Sequence, residues 1–226
     1  MRPFSLKWSD LPKFVSPQKS PMQLLYECRV YDEHWKLKKT TGLMNSHCFL
    51  LNFFRYLEAS YNHINAGTGY GPLCKAIDGT TEANYTYFDG GLANLQVGYR
   101  SSICSMSEDD TFGLVVGLGT TAPTPGDYVM ENQLTHGVST NTLFHYNTSE
   151  SGAVSSETSC YLTCQRIFGN VSGGTINVRE MGLQYKGWYG NGQYDDWRVL
   201  VLRDVIDVSV ADSDFLTCMY MFKTTT

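Results

Sequence analysis

Charge is scarce in this 226-residue chain: Asp, Glu, Lys and Arg make up 17% of it, against roughly a quarter in an average soluble protein. No run of about 18 apolar residues occurs, which argues against a spanning helix and a membrane partner. The leading stretch MRPFSLKWSDLPKF lacks the apolar core of a secretory signal. Seven cysteines, Cys28, Cys48, Cys74, Cys104, Cys160, Cys164 and Cys218, form an odd set without regular spacing. That argues against a disulfide scaffold and makes a reducing cytoplasm the expected folding compartment. Neither a G-x-S-x-G elbow nor a C-x2-C metal pair is present, and none of the histidines His34, His47, His63, His136 and His145 sits in a recognisable catalytic setting. No enzyme activity, cofactor or metal is therefore expected. Internal repeats and low-complexity tracts are also missing.

What is abundant points to strands and turns. Glycine (21) and tyrosine (15) are plentiful, with Ser, Thr and Asn filling the intervals. The net charge of −5 is uneven: residues 1–40 carry eight Lys/Arg against four acids, +4, so the remainder sums to −9. Residues 1–43 contain Pro3, Pro12, Pro17 and Pro21 and no sustained period, and are read as an extended basic arm with at most a strand at Leu24–Tyr31. Arg29, Lys36, Lys38 and Lys39 are its candidate docking residues, on an acidic partner or simply in solvent. A domain over 44–226 would follow. It opens with one amphipathic helix at about 46–64, where Phe49, Leu50, Phe53, Phe54, Leu57 and Tyr61 recur at helical spacing.

Beyond residue 73 the pattern becomes short alternating segments: 93–101, 112–117, 143–146, 159–168, 175–185, 197–203, 205–210 and 215–223. Segments of that length and spacing predict an antiparallel β-sandwich, jelly-roll-like, with the helix and the arm attached. The GNVSGG segment, 169–174, reads as a hairpin turn.

Gly117-Leu-Gly119-Thr-Thr-Ala after an apolar run matches a dinucleotide loop on paper. Pro123 and Pro125 fall where the phosphate-binding helix would start, and they remove its amide donors. The glycines are read instead as the end of a buried strand and a sharp turn. Thr124-Pro125-Gly126-Asp127 then forms a type II turn or a capped helical turn, leading into Tyr128 and Glu131. The Cys160/Cys164 pair and the acidic groups 108–110, 195–196 and 212–214 read as packing and solvated turns. One loop, YKGWYGNGQYDDW at 185–197, offers Trp188, Tyr189, Asn191, Tyr194 and Trp197. Flat rings beside amides and carboxylates suit either a protein interface or a glycan. The sequons at Asn84, Asn147 and Asn170 are expected by chance in so Asn- and Ser-rich a chain.

Three blocks, VVGLGTTAPTPGDYVMENQL, FGNVSGGTINVREMGLQY and WRVLVLRDVI, in that order between residues 112 and 223, resemble a group of virion structural proteins of tailed bacteriophages. The matching positions are Gly117, Gly119, Thr124, Asp127, Tyr128 and Glu131, then Asn170, Gly173, Glu180 and Gly182, then Arg203 and Asp204. Met130 departs from the group's usual leucine, and residues 1–90 match nothing in it. The resemblance implies a β-sandwich component of a virion, assembled in the host cytoplasm, whose partners are copies of itself and other virion proteins. Nucleic acid is not an expected partner. The alternative reading is a carbohydrate-binding module that recognises a host glycan through the 185–197 loop.

Overall fold

Alternation along the last strand sets the architecture. In β11 (Phe215–Thr225), Leu216, Cys218 and Tyr220 are buried while the residues between them are half-exposed, as a strand with one core face requires. A computed structural model describes residues 22–46, 49–55, 73–83, 103–187 and 197–225. The large sheet runs β2 (Leu37–Thr40), β1 (Gln23–Tyr31), β11, β8 (Ser159–Gly169), β7 (Phe144–Ser155), with β3 (Met44–Asn45) also on β1. A smaller sheet runs β10 (Trp197–Val210), β9 (Ile176–Gly187), β6 (Gly113–Gly117), and β4 (Leu73–Lys75) pairs with β5 (Thr81–Ala83). Every named pairing is antiparallel. The two sheets pack face to face as a mainly β sandwich, with the inner row Val30, Leu216, Phe168 and His145 from the large sheet facing the core that Val116, Met181 and Leu202 supply from the small one.

The small sheet is covered on its other face too. Leu50, Val115, Met130 and Leu200 form a second apolar cluster there. The covering chain is anchored by backbone bonds, Leu50 N–H to Val201 O and Leu51 N–H to Pro125 O. Of the helix expected at about 46–64, residues 51–55 are helical and the part beyond 55 lies outside the described residues.

Several expectations need correction. Within the segment read as an arm, the strand allowed at Leu24–Tyr31 is present but is an interior strand of the sandwich: β1 pairs with β11 over nine positions and buries Leu24, Tyr26, Cys28 and Val30. Those four residues alternate, and burying their face outweighs the prolines before them; residues 1–21 lie outside the described set. Arg29 is held by Glu27 at 2.8 Å, and Lys38 reaches Asp214 at 2.7 Å, so both serve the fold, while Lys36 and Lys39 are exposed. The GNVSGG segment is no hairpin, because β8 and β9 belong to different sheets. It crosses beside the β10–β11 connection, and the buried Asn170 amide donates to Gly174 O and Val210 O to join the two crossings. The segments 197–203 and 205–210 are one strand with two bulges, since Asp204, left between them, is buried and paired.

Candidate functional site

Asp127 and Glu131 of the first block, Glu180 of the second and Arg203 of the third meet on the covered face of the small sheet. Arg203 of β10 is diagonal to Glu180 of β9 in the pairing register, and its Nε donates to Glu180 Oε2 at 2.9 Å. Its other nitrogens reach into the covering loop, Nη1 to Asp127 at 2.8 Å and Nη2 to Glu131 at 3.3 Å. Glu180 is fully buried and also accepts the backbone N–H groups of Gly119 (3.1 Å), Glu131 (3.1 Å) and Asn132 (2.7 Å). A buried carboxylate is tolerated only where its lone pairs are filled in this way.

The glycines follow from that hub. A Cβ on Gly119 would lie 2.5 Å from Glu131 Cβ and 2.6 Å from Glu180 Oε1, and one on Gly117 would lie 2.5 Å from the same oxygen. Neither has a positive φ, so close approach, not the sharp turn expected from the sequence, is what requires them. Gly182 likewise makes room for Met130, whose Sδ would lie 2.6 Å from an added Cβ. The turn at 124–127 closes with Asp127 N–H on Thr124 O, while Asp127 accepts the Thr124 amide and hydroxyl. Gly126 lacks the positive φ of a type II turn. Burial opposes ionisation of Asp127, but Thr124 and Arg203 more than offset it and hold its carboxyl below the usual range. The Thr121 amide and hydroxyl do the same for Glu131. On the opposite face of β10, Asp204 accepts from Ser46 Oγ at 2.6 Å and Tyr220 Oη at 3.0 Å, and burial followed by that carboxylate pushes the Tyr220 phenol up.

No family model, curated protein or solved structure matches this chain. The chemistry of the site must therefore be read from its own contacts. Every nitrogen of the Arg203 guanidinium is bonded inside the protein and Glu180 has no solvent access. The arrangement fastens a loop to a sheet. Among the described residues, no three His, Cys, Asp or Glu side chains are placed to hold a metal, and no helix is long and apolar enough to cross a membrane.

The remaining sequence candidates are dispersed. Pro125 holds Leu51 through its carbonyl, Pro123 precedes it in the same loop, and Tyr128 carries Lys75 Nζ 3.5 Å above its ring. The described acidic turns are fasteners: Asp109 accepts from Thr111, Asp110 from the His136 amide and Asp212 from the Gly173 amide. Trp188, Tyr189, Asn191 and Tyr194 lie outside the described residues, and Trp197 opens β10. Cys164 is buried and Cys160 exposed.

Two features escaped the sequence reading. The first is Arg166 of β8, buried with all of its nitrogens on backbone carbonyls: Tyr146 from Nε, Phe112 and Leu114 from Nη1, Met106 and Asp109 from Nη2. Beside it, His145 is fully buried and neither ring nitrogen has a hydrogen-bond partner among the described residues. Burial, with Arg166 and His136 adding repulsion, pushes His145 down to about 3. It stays neutral when folded, so the unfolded chain binds one more proton below its ordinary value near 6.5, and stability falls as pH falls. Between pH 6.5 and 5 the loss is expected to be about 2 kcal/mol. Urea midpoints at the two pH values should show it, and His145→Phe should remove most of it; an unchanged slope in the variant would assign the pH dependence elsewhere.

The second feature is a row of rings on the outer face of the large sheet. Tyr31, Phe215, Gly169 and Phe144 are register partners across β1, β11, β8 and β7. Trp35 stacks on Phe215 with centroids 4.7 Å apart, Phe215 lies 6.4 Å from Tyr146, and Phe144 is 5.0 Å from Tyr146 and 4.8 Å from His136. Its sequence signal is parity: Tyr31, Phe144, Tyr146 and Phe215 each alternate with buried neighbours.

Proposed function

We propose that this chain is a structural component of a tailed-phage virion, working through contacts with copies of itself and with other virion proteins. One observation carries the reading: Gly119, Asp127, Glu131, Glu180 and Arg203, which come from all three blocks behind the resemblance, are used together in one loop-fastening network around Glu180. A motif spent on holding a scaffold suits a particle subunit better than it suits a reaction centre. Contact surface is available at the free edge of β7, whose residues 150–155 are all exposed. Strand groups there without a partner among the described residues can add a neighbour's strand, while the charge of Glu150 and two bulges limit indiscriminate pairing.

Mass spectrometry of purified particles tests the proposal. The chain is expected among the virion proteins in a stoichiometric, repeated copy number, and its absence from intact particles would overturn the assignment.

A further inference from the structure

We propose that the outward aromatic row of the large sheet is a binding site for a neutral oligosaccharide, with Trp35 as its principal stacking platform. This goes beyond the particle reading and does not depend on it.

Trp35 carries the inference. It stands at φ 61, in the left-handed region that bulky residues adopt only where the surroundings enforce it. The enforcing groups are local: Asp32 Oδ1 accepts the His34 and Lys36 amides at 2.9 Å each, Asp32 O accepts the Trp35 N–H, and Asp32 N–H donates to Lys36 O. All this holds an indole that remains 53% exposed. Packing accounts for the contact with Phe215, nearly parallel at 10°, and for the Tyr31 ring at 5.9 Å. It does not account for a strained turn that keeps the rest of the indole in water.

The shape of the row selects the ligand class. The rings follow one another at 4.7 to 6.4 Å in a strip one residue wide, and Gly169 lies beneath the Phe215 and Tyr146 rings without a side chain of its own. The next outward row along the strands is Arg29, Thr217 and Ile167, followed by Glu27, Met219 and Gln165, so polar and apolar residues mix there and the strip does not widen into an apolar patch of the kind a protein partner of about 800 Å² per side would need. Two ion pairs flank the row, Arg29 with Glu27 and Lys38 with Asp214. A narrow, ring-lined strip suits a chain of pyranoses, whose C–H faces stack on the indole and phenyl rings while their hydroxyls meet exposed polar groups such as Asn147 and Ser213.

The test uses the full chain on an array of neutral hexose and N-acetylhexosamine oligomers, followed by calorimetric titration of any oligomer captured. Binding is expected, with Trp35→Ala weakening it at least tenfold at unchanged melting temperature and Trp188→Ala leaving it intact. If Trp35→Ala fails to fold, Tyr146→Ala, across Phe215 from the indole, must show the same loss. A silent array, undiminished binding by the variant that folds, or loss through Trp188→Ala alone would each overturn the proposal. The particle reading fails separately, through absence from purified virions.

Discussion

Glu180→Ala is expected to destabilise the fold by about 5 kcal/mol, the upper end of what breaking a buried ion pair costs, read as a drop in the urea midpoint at constant slope. Two losses combine. The Arg203 guanidinium, 4% exposed, keeps Asp127 and Glu131 but loses its only fully buried partner. The amides of Gly119, Glu131 and Asn132 lose their acceptor at the same moment, and the buried Gly119 donor carries the full desolvation penalty. Against a total stability of roughly 5 to 15 kcal/mol for a domain, such a change places the folded state near its limit.

A double replacement separates the two losses. Exchanging a buried ion pair for apolar side chains of similar volume is often tolerated, so if charge alone mattered, Glu180→Leu with Arg203→Met would recover most of the stability. Here the three loop amides stay orphaned in the double variant, and about 2 kcal/mol or more of the loss should persist. Full recovery would show that the loop finds other acceptors and that Glu180 acts only as a counter-ion. Glu180→Gln, which keeps a carbonyl oxygen for the amides, should fall between wild type and alanine.

The strand pattern of this fold was open to a reader of the sequence because burial of one face leaves period-two alternation. Leu216, Cys218 and Tyr220 show it plainly. The same alternation in Leu24, Tyr26, Cys28 and Val30 lies in the stretch read as at most a strand of the arm, but the prolines and lysines around it hid that this strand belongs to the core. Which strands pair is another matter. Nothing local in GNVSGG tells that its flanking strands enter different sheets, since the decision rests on Asn170 bonding across to Val210, forty positions away. The hub of the site was hidden for the same reason. Glu180 binds amides 48 to 61 positions earlier in the chain, so the blocks could be seen as a set while the contact joining them could not. One signal was available and unused: Cys164, Arg166 and Phe168 share the inward parity of β8, and an arginine on an apolar face must find buried acceptors.

That arginine yields the second large effect. Arg166→Leu is expected to cost about 4 kcal/mol and to loosen one seam of the sandwich. β6 and β7 are edge strands of different sheets, and an edge presents unpaired carbonyls that need donors once buried. Arg166 supplies them from the interior, spanning Phe112 and Leu114 on the β6 side, Tyr146 on β7, and Met106 and Asp109 in the preceding loop. Burial lowers the guanidinium only to about 10, so it is charged at neutral pH and its bonds are charge-assisted. Leucine fills part of the volume and satisfies none of the carbonyls. Arg166→Lys keeps the charge but presents its donors from one point, not as a fork, and should restore less than half of the loss. Amide exchange separates a local from a global effect: in Arg166→Leu the Leu114 and Thr148 amides should exchange faster than those of β1 and β11, because the seam opens before the large sheet does. Uniform acceleration across both sheets would show that Arg166 supports the core as a whole, and an unchanged midpoint would show that water or another donor can replace it at the seam.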